Sequence, residues 1–214
     1  MTPIQLYTYQ TSNGHKASIM LEEAGLPYDV HVVDIEAGEQ RKPEFVALNP
    51  NNKIPVIVDP DRDRTVFESG AILHYLAERS GVLLPGCDAE RVQVQSWILF
   101  QAAHVGPTLG QLWNYKVFAP EKIPYVIGRF EQEANRVYRV LEGQLVRHAH
   151  VAGETYGLAD VMVWPWIHAG LTKLGLTLDG TPNLARWYMA VGARPAVLRG
   201  LVVPRLPARE RINA

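Results

Sequence analysis

Apolar residues alternate with a period of two only near the start of this chain, and beyond about residue 80 they recur at steps of three and four. The change of period separates a part able to build a sheet from a part able to build only helices. Ile4, Leu6 and Thr8 alternate with Gln5 and Tyr7, and Tyr28, Val30 and Val32 repeat the pattern, which predicts two strands. Between them Ala17, Met20, Leu21 and Ala24 share one helix face, which Gly25 and Pro27 stop. Strand, helix, strand at this spacing suits a parallel crossover. "IPVIVD" adds a short buried strand, "DPDRDR" a polar turn, "TVF" a fourth strand, and "ESGAILHYLAERSG" a helix that Gly81 closes. The expectation is an α/β unit with a four-stranded mixed sheet over residues 1–80.

Residues 81–88 carry Gly and Pro and read as a linker, and residues 89–214 read as all-α. Ile127, Phe130, Ala134, Val137, Leu141 and Leu145 mark a long amphipathic helix whose other face carries Arg129, Glu131, Glu133 and Arg136. "ADVMVWPWIHAGLTKLG" is apolar on nearly every side, so it is expected to run through the centre of the helical unit, with Pro165 tolerated early or at a kink. The tail "VVPRLPARERINA" is proline-broken and basic, and the sequence leaves open whether it docks or moves.

Composition removes several function classes. A chain of 214 residues that is 47% hydrophobic can bury one large core or two modest ones. Its net charge of -1, with both signs interspersed, gives no footprint for nucleic acid or an anionic membrane. "MTPIQLYTYQ" has no basic leader, and "VMVWPWI" is too short to span a bilayer. The single cysteine, Cys87, excludes an internal disulfide framework and fits a reducing compartment, so a soluble cytoplasmic protein is expected. The seven histidines show no metal-ligand spacing, and no metal is expected.

Three places carry possible chemistry. In "NNKIPVIVD", Ile54-Pro55 enters a strand; a cis bond there turns the Ile54 backbone outward to pair with an extended peptide, and the alternative is an ordinary strand-initiating proline. In "FESGAIL", Ser69 can meet a carboxylate at a helix N-terminus while Glu68 accepts from an ammonium; an N-cap is the alternative. The loop Thr11 to Gly14 in "TSNGHK" offers hydroxyl, amide and backbone donors at another helix N-terminus, where the alternative is a simple turn.

In their order and spacing these segments resemble the glutathione transferases along nearly the whole chain. "SNGHKASIMLEEAGLPYDVHVVDI", "KPEFVALNPNNKIPVIVD" and "FESGAILHYLAE" look most like the bacterial Nu class and its yeast nitrogen-regulator relative, and "GPTLGQLWNY", "IPYVIGRFEQE" and "ADVMVWPW" extend the likeness. The resemblance implies a thioredoxin-like domain followed by the helical domain of that family, assembled as a homodimer. It implies a disulfide reductase in which glutathione, as two reduced molecules or one oxidised molecule per site, supplies the thiolate that attacks small disulfides. Conjugation of electrophiles and non-catalytic binding or regulation are the alternatives.

By the same resemblance Gln40, Lys53, Ile54, Pro55, Glu68 and Ser69 hold the tripeptide, Lys53 at its glycyl carboxylate, Ile54 at its cysteinyl backbone, and Glu68 with Ser69 at its γ-glutamyl group. Arg129 would approach near the subunit boundary, its alternative being an exposed ion pair. Thr11 and Asn13 are the expected catalytic pair, keeping the visiting thiol ionised. With cysteine as reference, lowering a thiol pKa from about 8.5 to about 6.5 takes roughly 2.7 kcal/mol. A hydrogen bond to a charged group contributes about 1.5–3 kcal/mol and a helix N-terminus about 0.3–1, so one hydroxyl, one amide and the dipole suffice.

Other residues read as structural. Cys87 lies in the connector, far in sequence from the cofactor motifs; His15 reads as a helix-start residue; Tyr9 is a minor alternative thiol partner. Trp113 and Tyr115 line the second-substrate side or pack as aromatics. In "YGLAD", Gly157 stands where the family places Ser or Thr as helix cap, at a cost of a few tenths of a kcal/mol.

Overall fold

The computed structural model describes residues 1–206. In chain order its elements are β1 (Ile4–Thr8), α1 (Ser12–Ala24), β2 (Tyr28–Val32), α2 (Pro43–Leu48), β3 (Val56–Asp59), β4 (Arg64–Phe67) and α3 (Ser69–Ser80). There follow α4 (Asp88–Phe100), α5 (Gly106–Trp113), α6 (Pro124–Leu145), α7 (Leu158–Lys173), α8 (Pro182–Gly192) and α9 (Pro195–Gly200).

The sheet order is β2-β1-β3-β4. β1 and β2 run parallel because α1 carries the chain back across the sheet, whereas β3 and β4 are joined by a tight polar turn and pair antiparallel. α1 stops where Gly25 adopts φ 62 and returns its N–H to the Leu21 carbonyl, a conformation a Cβ would oppose. Its first turns are buried on almost every side, against α3, α7 and α9. α9 comes so near that a Cβ on Gly200 would stand 2.7 Å from the Ile19 nitrogen, and Ser18 Oγ donates to the Gly200 carbonyl at 2.8 Å.

One continuous apolar cluster runs from Leu6 and Ile57 of the sheet through Met20 of α1 to Val163 of α7 and Trp187 of α8. A small second cluster, Val33, Phe45 and Val56, lies with α2. Of the two arrangements that composition allows, the chain adopts a single main core that crosses from sheet to helices.

α6 buries Ala134, Val137, Tyr138, Leu141 and Leu145 along one stripe, and Glu133 and Arg136 pair on its outer face. α7 is buried at every position from Leu158 to Ile167. Pro165 sits in the middle of α7 rather than early, so the Val161 carbonyl receives no N–H from it. Gly157 caps α7 without a side chain. Asp160 supplies the missing half: Oδ2 accepts from Gly157 N at 2.9 Å, while Oδ1 accepts from Val151 N at 3.0 Å and Trp187 Nε1 at 2.6 Å.

Two features were not expected from the periodicity. Between α4 and α5, and again after α5, the chain widens into π-helical turns at Gln101–Val105 and Asn114–Phe118. Such turns re-aim side chains without breaking a helix and recur at functional sites. The beginning of the tail docks, with Gln10 Nε2 donating to the Pro204 carbonyl at 2.8 Å; residues 207–214 lie outside the described residues.

Candidate functional site

A cleft of about 710 Å³ opens where the N-termini of α1 and α3 meet the α4–α5 segment and α7. That volume lies in the range of small-molecule sites. Three of its walls come from loops that the sequence singles out.

The first is the turn from β4 into α3. Glu68 is exposed and adopts φ 67, a conformation that costs a non-glycine residue about 1–3 kcal/mol and that turns the chain directly from strand into helix. Ser69 follows, buried, and the N–H groups of the first turn of α3 have no acceptor within the helix. Both residues line the cleft, with Gly70 and Ala71 behind them.

The second is the approach to β3. Asn49 is buried, and its Nδ2 donates to the Lys53 carbonyl at 2.7 Å while its Oδ1 accepts from Asn51 N at 2.9 Å. This clasp holds the loop that presents the exposed Lys53 side chain to the cleft. The Ile54-Pro55 bond is cis.

The third is the start of α1. Thr11 is its N-cap, with Oγ1 accepting from Gly14 N at 3.0 Å, so the hydroxyl proton is left to donate elsewhere. Asn13 lines the cleft, and its Oδ1 accepts from Lys16 Nζ at 3.0 Å and from Trp166 Nε1 at 2.9 Å. Two donors on one oxygen fix which end of the amide is which. The Nδ2 end, carrying two N–H donors, remains for a ligand.

The remaining expected residues are not brought to this cleft. Gln40 sits in the turn Glu39–Arg41, where Nε2 donates to the Ile35 carbonyl at 3.3 Å. Arg129 is an exposed helix residue 3.6 Å from Glu133, the ion-pair geometry that its spacing on α6 permits. Ile54 and Pro55 lie behind Lys53, and Thr11 beside Asn13, without lining the cavity. Trp113 stacks on Phe118 and Tyr115 on Phe130, while Tyr9 is buried and outside the lining. Cys87 is exposed immediately before α4.

Among the polar lining residues that sequence reasoning missed are Lys16, Gln101 and Trp166. Lys16 is 1% exposed, and burial pushes its ammonium well below the ordinary lysine range, opposed by the charge of Glu68. A signal was available, since Lys16 stands three residues after Asn13 and four before Met20, on the apolar face of α1. Gln101 opens the first π-helical turn, and no local pattern marks it. Trp166 is hidden within a helix whose sequence is apolar on nearly every side.

Residues 12–79 match the family model of the glutathione S-transferase N-terminal domain, and residues 129–195 match that of the C-terminal domain. The chain belongs to the glutathione S-transferase family. This transferase is 40% identical over 208 residues to the disulfide-bond oxidoreductase YfcG of Escherichia coli, covering 95% of this chain and 96% of that one. It is 40% identical over 232 residues to the E. coli disulfide-bond oxidoreductase YghU, covering 99% and 79%.

Among solved structures, a glutathione transferase from Burkholderia graminis with two glutathione molecules bound per subunit superposes with a TM-score of 0.91 at 40% identity, covering 96% of this transferase and 90% of that chain. One from Pseudomonas putida with one glutathione disulfide per subunit gives 0.88 at 37% identity, covering 94% and 92%. Among the described residues of this transferase no group of three His, Cys, Asp or Glu side chains is placed to hold a metal ion, and no helix is long and apolar enough to cross a membrane.

Proposed function

We propose that this glutathione S-transferase reduces small disulfides with glutathione, in the overall exchange RSSR + 2 GSH → 2 RSH + GSSG. The observation that carries the proposal is the Asn13 amide, whose orientation is fixed by Lys16 and Trp166 so that its N–H donors are left to the cleft. The cavity's donors and acceptors match the tripeptide group by group. Ser69 and the open N–H groups of α3 suit one carboxylate, Lys53 the other, Glu68 the ammonium and Asn13 the sulfur, with the Thr11 hydroxyl next to Asn13 but outside the cavity lining.

Bound glutathione supplies the nucleophilic sulfur and the reducing equivalents. The chain's own contribution is to position that sulfur and keep it ionised; its one cysteine, exposed before α4, takes no part. Both relatives named above as disulfide-bond oxidoreductases and the neighbours holding two glutathiones or one glutathione disulfide support this reading.

Ile98, Leu99, Ala102, Pro107 and Met162 give the cleft an apolar wall, which suits an electrophile to be conjugated as a second reading. Turnover of 2-hydroxyethyl disulfide compared with an aryl halide separates the two. Disulfide reduction exceeding conjugation supports the proposal, conjugation alone replaces it, and tight glutathione binding without either leaves a binding protein.

A homodimer is part of the same proposal. Phe67 and Val92, both exposed in the single chain and outside the cleft lining, would supply apolar surface for the twofold contact. Light scattering that gives a monomer mass would remove that element.

A further inference from the structure

Lys16 is a charged group of this cleft that the functional reading uses only as an anchor of the Asn13 amide, leaving its charge unassigned. Its Nζ meets three neutral oxygens: Gln101 Oε1 at 2.7 Å, Asn13 Oδ1 at 3.0 Å and Ser69 Oγ at 3.4 Å. Three acceptors match the three N–H bonds of an ammonium; a neutral amine has two and would turn its lone pair on an oxygen. The Ser69 hydroxyl is directed toward Met162 Sδ at 3.9 Å, which leaves its oxygen free to accept.

Among the described residues no carboxylate touches the ammonium. The ionisable side chains lining the same cleft are Glu68 before α3, His74 on α3 and Lys53 before β3; the α4, α5 and α7 walls contribute none, and His15 precedes Lys16 on α1. A cation buried on neutral oxygens leaves its site short of negative charge, and an anionic ligand atom can provide it. Gln101 gives an independent pointer: 1% exposed, it uses Oε1 on Lys16 while its Nε2 donor is buried without a partner among the described residues, in a residue that lines the cleft.

We propose that Lys16 is a positioning residue of the glutathione site, a fixed buried charge seated on Gln101 that ties Asn13 to Ser69 and favours the ionised sulfur beside Asn13. The proposal deepens the functional reading above and rests on it. Asn13 and Ser69 belong to the sulfur end and the γ-glutamyl end of the expected tripeptide, so one ammonium sets the spacing between them. Because Asn13 and Gln101 touch it through neutral amides, its charge reaches the cleft without being quenched by contact with a carboxylate. The burial that lowers the lysine pKa has the same origin, and an anion bound nearby would raise that pKa again.

The test is an ultraviolet titration of the thiolate of reduced glutathione bound to the full-length protein, in wild type, Lys16→Met and Gln101→Met. The second variant keeps Lys16 and nearly keeps side-chain volume while deleting the shortest of its three acceptors, and it decides the matter if the first fails to fold. The bound thiol pKa is expected to rise by about one unit in Lys16→Met, a tenfold change equivalent to about 1.4 kcal/mol, and in the same direction by less in Gln101→Met. Binding of S-methylglutathione, which has no thiol to ionise, is expected to change by less than about threefold, whereas lost packing would weaken both ligands together. If wild type itself leaves the bound thiol at its free-solution pKa, the functional reading fails and the Lys16 assignment with it. If wild type lowers that pKa and the folded variants lower it equally, the Lys16 assignment alone is overturned.

Discussion

Trp166 Nε1, in the middle of α7, donates to Asn13 Oδ1, in the first turn of α1, at 2.9 Å. The two residues are 153 positions apart, and the bond joins the helical half of the molecule to the start of α1, where Asn13 lines the cleft. A helix buried on all sides is a stiff support for such a contact, since its side chains have no room to change rotamer. Trp166→Phe keeps most of the ring and removes the donor. With one anchor of two gone, the Asn13 amide can turn, and kcat for disulfide reduction is expected to fall by roughly threefold to tenfold, the range of one neutral hydrogen bond, while the KM for glutathione stays near wild type. Steady-state kinetics with both substrates varied checks this, and a change confined to KM contradicts it.

Asn13 and Cys87 make an opposed pair of variants. Asn13→Ala removes the fixed N–H donors, and if they stabilise a thiolate the loss is about 1.5–3 kcal/mol, or roughly tenfold to 150-fold in kcat/KM. Adding Thr11→Ala deepens the loss and also removes the N-cap bond to Gly14, for about 1 kcal/mol of stability. Cys87→Ser, in an exposed residue outside the cleft, is expected to leave turnover unchanged. Full activity in the double variant together with an inactive Cys87→Ser would refute the borrowed-thiol mechanism.

At the start of α7 one small change stabilises and another does the reverse. Gly157 has an extended backbone, and a Cβ there would meet only the Thr155 carbonyl at 4.0 Å. Gly157→Ser therefore adds a capping hydroxyl without strain and is expected to raise unfolding free energy by a few tenths of a kcal/mol. Asp160→Ala leaves two backbone N–H groups and the Trp187 indole N–H without their buried acceptor, a loss of about 3 kcal/mol or more. Urea denaturation with a constant m-value measures both.

The pH dependence of stability has a specific source in His15. Burial first, and then the nearby His168, lower its pKa from 6.5 to about 4, and its Nε2 has no hydrogen-bond partner among the described residues. The unfolded chain binds this proton near pH 6.5 and the folded chain only near pH 4, so protons favour unfolding in between. The neutral imidazole's contribution is fully present above pH 6.5 and is lost as pH falls toward about 4, over a span worth a few kcal/mol. His15→Gln is expected to flatten the stability profile across that window. An unchanged slope in urea melts between those limits would assign the effect elsewhere.

Local order in the sequence determined much of this protein. The period-two runs, the Gly25 and Gly81 stops, the polar turn after β3 and the stripe of α6 each follow from neighbours a few residues apart, and so do the loops that present Asn13, Lys53, Glu68 and Ser69. Backbone sterics and helix geometry act over that range, which is why those elements were readable. What the tertiary structure decided is which side chains share a cavity. Lys16 meets Ser69 across 53 positions and Gln101 across 85, through a π-helical turn that no periodicity announces, while Arg129 and Gln40 stay outside the cleft. Contacts of that kind depend on how closely α1 packs against α3 and α7, and packing is a property of complementary surfaces that no single stretch of chain contains.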